Sequence, residues 1–158
     1  MVMKDFGLNM SSGELSKMFE FENAFDYKKP TVQLLGRWQP WHEGHTKLFK
    51  KALTLTGQCV IMVREVYGFE GDAGAGRTQD QSDNPFGEIA VIDGIKKALG
   101  EEGFEEGREY MIQMVPNIVD ISYGRGVGYT FTEHDLGDDV HSISATKIRE
   151  QLREEGKL

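Results

Sequence analysis

Short β-favouring apolar runs alternate along this chain with stretches of helical period, and that alternation restricts the fold more than any other feature. Thr31–Leu35 reads as a first strand ending on Gly36. Gly44–Leu55 then carries Leu48, Phe49, Ala52 and Leu55 at helical spacing, with Gly57 just past the end as a stop. Gln58–Val66 is apolar enough to run through the middle of a sheet. Pro85, tolerated in a first helical turn, opens a helix to about Leu99, and Tyr110–Val115 is a third strand. Ile118–Tyr123 and Tyr129–Glu133 read as two further short strands, and Ser144–Leu152 as a closing helix. Alternation of this kind, with no internal repeat, predicts a parallel, three-layer α/β sheet.

The 158 residues suffice for one domain with a sizeable core, here residues 31–158. Residues 1–30 read as a leader in which Ser11 or Ser12 caps a short helix to about Phe21. Its Phe19 and Phe21, with Phe25, dock on the body or form a contact in a homo-oligomer. With 39% hydrophobic and 28% charged residues the composition is that of a soluble globular protein. No apolar run reaches the ~20 residues needed to span a bilayer, and no signal-peptide core precedes the leader, so no membrane partner is expected. The one cysteine, Cys59, lies in the apolar run Cys59–Val63 and reads as a buried strand residue in a reducing, cytoplasmic setting.

A net charge of −8 argues against a general nucleic-acid binder, which needs a basic face. The acids Glu101, Glu102, Glu105 and Glu106 read as solvated surface. A phosphate-handling site needs only a few placed cations, and Arg37, Lys47, Lys147 and Arg149 all fall in or beside two motifs. The first motif is Gly36-Arg37-Trp38-Gln39-Pro40-Trp41-His42-Glu43-Gly44-His45, at the end of the first strand. Gly36 allows the backbone to approach a phosphate closely, Pro40 shapes the turn, and Gly44 relieves crowding between the imidazoles. His42 and His45 can donate hydrogen bonds to phosphoryl oxygens, aided by the N-terminus of the following helix. The second motif is Ile143-Ser144-Ala145-Thr146-Lys147-Ile148-Arg149, with Ser144 placed as an N-cap. Together the two describe the jaws of a polyphosphate site at the carboxyl edge of the sheet.

Other signals are weaker. Gly71-Asp72-Ala73-Gly74-Ala75-Gly76-Arg77-Thr78 nearly spells a P-loop, but polar residues rather than an apolar helix follow it. It reads as a substrate lid with Arg77 as an anion contact, or as a plain surface loop. The spacing of His42 and His45 is not the i,i+4 of zinc proteases. His134 and His141 near Asp135, Asp138 and Asp139 read as a solvated acidic loop rather than a metal site. Trp38 and Trp41 either stack on a base or pack on the sheet.

The run G-R-W-Q-P-W-H-E-G-H resembles the HxGH motif of the nucleotidyltransferase superfamily, and I-S-A-T-K-I-R resembles its second motif, the ISxTxxR type. The G-R-x-Q-P form is closest to the archaeal-type nicotinamide mononucleotide adenylyltransferases, as is Asn84-Pro85-Phe86 followed by Glu88. The H-x-G-H-x-K-L pattern equally resembles glycerol-3-phosphate cytidylyltransferases. This resemblance covers residues 31–153. It implies a Rossmann-like, doubly wound domain that moves AMP or CMP from ATP or CTP, with Mg²⁺, onto a small phosphorylated acceptor and releases pyrophosphate. It places His42, His45, Lys47 and Arg149 in catalysis. It assigns Gly36, Arg37, Trp38, Gln39, Ser144, Thr146 and Lys147 to the nucleotide, and Asn84 and Arg125, with Arg77, to the acceptor or lid. The sequence departs from the adenylyltransferases in a shortened segment around Pro116–Tyr129 and in Ile89, where they carry arginine. The acceptor is therefore open between nicotinamide mononucleotide and a smaller phosphorylated alcohol or sugar. A catalytically silent nucleotide sensor is the alternative in a different class.

Overall fold

The computed structural model describes residues 24–68, 82–126 and 128–158. In chain order they form β1 (Val32–Gly36), α1 (Glu43–Thr56), β2 (Cys59–Arg64), α2 (Glu88–Glu101), β3 (Tyr110–Val115), the short α3 (Asp138–His141) and α4 (Ala145–Glu154). The strands build one parallel sheet in the order β1-β2-β3. This is an α/β fold. The helix predicted to end at Phe21 and the run 71–78 lie outside the described residues.

Register decides which side chains meet. Leu34 stands opposite Ile61, and Ile61 opposite Ile112, so with a period of two these share a face with Cys59, Val63 and Tyr110. Against that face α1 packs Phe49 and Ala52, and α2 packs Val91, Ile95 and Leu99, in one core cluster. The Phe49 ring meets Phe104 and Tyr110 edge-on at 5.2 and 5.8 Å. Both helices thus pack on the same side of the sheet. Cys59 is enclosed there, and burial pushes its thiol pKa up to about 12, which leaves it unreactive.

Across the sheet, Val60, Met111 and Gln113 line a cavity of about 270 Å³ with Phe25, Tyr27 and Thr31. Gln58 ties this N-terminal stretch to the sheet. Its Nε2 donates to the Asp26 carbonyl and to Thr31 Oγ1, both at 2.7 Å, and its Oε1 accepts from the Asp26 N–H at 3.1 Å.

Several expectations need correcting. Helix α2 starts at Glu88, not Pro85, because the backbone N–H and carbonyl of Phe86 are both bonded to the Gln39 side chain. Helical bonding can begin only after that, with Gly87 as an extended N-cap. No strand forms at 118–123 or 129–133. Ile118 N–H turns back to the Pro116 carbonyl, and Val119, Ile121, Tyr123, Tyr129 and Phe131 are exposed. Asp138–His141, read as a loop, is a helical turn that buries Val140. Among the described residues no helix is long and apolar enough to cross a membrane.

Candidate functional site

β1 delivers the chain to the carboxyl edge of the sheet, and the turn that follows is built from aromatic side chains folded inward. Trp38 takes the left-handed backbone region at φ 55°, uncommon for so bulky a residue, and the Gln39–Pro40 peptide bond just beyond it is cis. The Trp38 indole lies back over Gly36 and donates from Nε1 to the Met62 carbonyl at 3.0 Å. A Cβ on Gly36 would stand 2.9 Å from that ring. The space that a side chain at Gly36 would need is thus taken by the Trp38 ring. Trp41 packs beside Trp38 with ring centres 4.9 Å apart and donates from Nε1 to Thr46 Oγ1 at 2.8 Å. Both tryptophans are buried core residues.

The two histidines cap α1 reciprocally. His42, the N-cap, accepts the Gly44 N–H on Nδ1 at 3.0 Å, while His45 accepts the His42 N–H on its own Nδ1 at 3.1 Å. This is a capping box made of imidazoles, with two of the helix's orphan donors satisfied. The rings stack with centres 3.6 Å apart and planes 18° apart. Trp38 meets His45 edge-on at 4.8 Å from behind. A Cβ on Gly44 would come within 2.8 Å of His42 Cε1 and 3.2 Å of Val140 Cγ1, so glycine lets the ring and α3 close in together.

Protonation follows from this geometry. Burial, and secondarily the neighbouring His42, push the His45 pKa down from 6.5 to about 3, and burial also lowers that of His42. Both imidazoles are neutral at pH 7. Because each Nδ1 accepts a backbone hydrogen bond, the proton of each ring sits on Nε2. No hydrogen bond among the described residues uses either Nε2, so the pair offers two neutral N–H donors.

Behind the histidines, three motifs meet at Gln39. Its side chain pairs with Phe86 through both ends: Oε1 accepts the Phe86 N–H at 2.9 Å and Nε2 donates to the Phe86 carbonyl at 2.8 Å. Two residues earlier, Arg37 Nη1 donates to Oδ1 of the fully buried Asn84 at 2.9 Å. The stretches 37–39 and 84–86 are thereby clasped. The backbone carbonyl of Gln39 in turn accepts Arg149 Nη1 at 2.6 Å. Arg149 is only 3% exposed, and its Nη2 reaches Thr146 Oγ1 at 3.3 Å and Asp83 Oδ1 at 3.4 Å. Burial lowers the Arg149 pKa and Asp83 opposes that, but a guanidinium keeps its proton throughout the ordinary pH range. Ser144 caps α4, accepting the Lys147 N–H on Oγ at 3.4 Å.

Direct contacts therefore group Gly36 and Trp38 with His42 and His45, Arg37 with Asn84, and Gln39 with Thr146 and Arg149, and the stretch 36–45 carries a member of each group. The structure does not bring Lys47 to them: its exposed ammonium pairs with Glu43 at 3.5 Å along α1. Lys147 is exposed and takes part through its backbone in the cap, and Arg125 is exposed on the irregular stretch after β3. Arg77 lies outside the described residues. Sequence reasoning missed Asp83, Val140 and the backbone of Phe86, whose roles arise only from long-range contacts. Thr46 alone left a local trace, as a hydroxyl on the buried side of an otherwise apolar helix face. Among the described residues no three His, Cys, Asp or Glu side chains converge to hold a metal ion.

No protein-family model matches the chain, and no curated protein matches it.

Proposed function

We propose that the protein is a nucleotidyltransferase that moves AMP or CMP from a nucleoside triphosphate onto a small phosphorylated acceptor and releases pyrophosphate. The observation that carries the reading is the stacked imidazole pair, capped through Nδ1, on the same short stretch as Gln39, whose carbonyl accepts the buried Arg149 of the second motif. Two hydrogen-bond donors and a guanidinium at the carboxyl edge of a parallel sheet suit a polyphosphate. The α/β architecture, with its parallel sheet, is compatible with the Rossmann-like domain that the motif resemblance implies.

In this reading an anionic oxygen of the acceptor's phosphate attacks the α-phosphorus in line. The bond to the α–β bridging oxygen breaks, and pyrophosphate leaves with that electron pair. The attacking oxygen carries no proton, so the protein need supply no general base. It positions the reactants and stabilises charge moving onto the leaving group. His42 and His45 donate from Nε2 to phosphoryl oxygens without changing protonation state. Arg149, with Thr146 and Arg37, holds the terminal phosphates. Mg²⁺ stays on the triphosphate in this scheme, since the described residues provide no cage for it.

The test is pyrophosphate release, with Mg²⁺, from ATP and from CTP against nicotinamide mononucleotide, glycerol 3-phosphate and several sugar phosphates. Release that requires one triphosphate and one acceptor, and that His42→Ala abolishes, is the expected result. Triphosphate binding that depends on His42, without release on a wide acceptor panel, would favour a nucleotide sensor. Absence of both binding and release would overturn the reading.

A further inference from the structure

Two guanidiniums of α4 converge on the stretch Ser82–Asp83. Arg149 reaches Asp83 at 3.4 Å, and Arg153, one turn further along the same face, donates to the Ser82 carbonyl. They lie close enough that the charge on Arg153 makes Arg149 harder to protonate, as does that on Arg37. Asp83 is the carboxylate that faces Arg149, and it does so poorly. It offers one oxygen at 3.4 Å, where a charge-assisted bond runs to about 2.7–2.9 Å and a guanidinium favours a two-oxygen partner. Arg149 is 3% exposed, yet its Nε is buried without a hydrogen-bond partner among the described residues. A buried, incompletely satisfied guanidinium beside a second cation, in a chain of net charge −8, is built for an anion better than Asp83.

We propose that Asp83 is a resident anion that the terminal phosphates of the triphosphate displace from Arg149, and that Arg153 is a further phosphate-contacting residue beside it. The proposal rests on the nucleotidyltransferase reading for the identity of the anion. It adds that the empty site is held closed by an internal carboxylate, and that binding exchanges one anion for another. A tetrahedral phosphate brings three oxygens to the guanidinium in place of one, and it extends the contact to Arg153.

Calorimetric titration of the full chain with ATP and with inorganic tripolyphosphate tests it, alongside melting of the ligand-free protein. Asp83→Asn removes the competing charge at nearly constant shape. It is expected to bind both ligands about two- to fivefold more tightly while the ligand-free protein melts lower. Asp83→Glu keeps the anion and is expected to stay close to wild type in both measurements. Arg153→Gln, at an exposed position, is expected to bind about two- to fivefold more weakly with melting unchanged. An Asp83→Asn chain that binds no tighter than a wild type that does bind overturns the exchange alone. Unchanged affinity in Arg153→Gln removes that residue from the contact. A wild-type chain that binds neither ligand overturns the nucleotidyltransferase reading, and the exchange with it.

Discussion

Gln39 pairs with Phe86 as one strand pairs with another, its amide oxygen taking the Phe86 N–H and its amide nitrogen meeting the Phe86 carbonyl, across 47 residues of sequence. A side chain here does the work of a backbone ladder. Gln39→Ala removes both bonds and leaves two backbone groups unpaired against a side chain only 4% exposed. Urea unfolding should show a loss of about 1–3 kcal/mol. Arg149 keeps its acceptor, which is the Gln39 backbone carbonyl, so the variant isolates the clasp. An unmoved midpoint would mean that water replaces the lost partner.

The capped histidines give the protein a defined acid response. His45 is held neutral in the folded state, with its pKa lowered from 6.5 to about 3, so below 6.5 the unfolded chain binds the proton that the folded chain refuses. The stability that depends on its neutrality is complete above pH 6.5 and is lost progressively as pH falls from there towards 3. His42, also lowered, adds in the same direction. His45→Asn retains an acceptor near the Nδ1 position and does not titrate. Its melting temperature should therefore fall less steeply than that of the wild type between pH 7 and pH 4. Parallel curves would locate the acid sensitivity elsewhere.

Gly44 separates helix propensity from site geometry. Alanine is the better helix former by about 1 kcal/mol, but its Cβ would stand 2.8 Å from His42 Cε1. Gly44→Ala is expected to leave melting nearly unchanged and to reduce pyrophosphate release about tenfold or more, because a small displacement of a positioned donor is costly. Turnover at the wild-type rate would show that the ring shifts aside freely.

Thr46 supplies the partner of a buried indole. Thr46→Val leaves Trp41 Nε1 without an acceptor and should cost about 1–3 kcal/mol, followed by tryptophan fluorescence during unfolding. Thr46→Ser keeps the hydroxyl and should lose less. Equal losses from the two would mean that the methyl group, which valine keeps and serine lacks, matters as much as the hydrogen bond.

What could be read from the sequence was what local chemistry determines. Helix α1 runs from Glu43 to Thr56 against an expectation of Gly44–Leu55, since Leu48, Phe49 and Ala52 mark its buried face and Gly57 its left-handed end. Ser144 was legible as a cap for the same reason. The apolar runs of β2 and β3 announced buried strands. The stretch from Ile118 to Glu133 did not behave so, because β-favouring residues become a strand only where a neighbouring strand accepts them. The start of α2 was hidden because Gln39, far away in sequence, claims the backbone of Phe86. Lys47 resembled a site cation by proximity in sequence, but two positions beyond His45 is about 200° around a helix. Arg149 stood out in the second motif, yet nothing near it in sequence announced that the carbonyl of Gln39 would hold it.

That last contact joins residues 110 positions apart. Synthesis proceeds from the amino end, so the histidine cap, made from neighbours along the chain, can form while most of the protein is still being made. The guanidinium that the Gln39 carbonyl accepts cannot arrive until α4 exists. An emerging chain thus holds the histidine cap over a long interval before the second motif exists. The contact between the two motifs thus forms only at the end of synthesis.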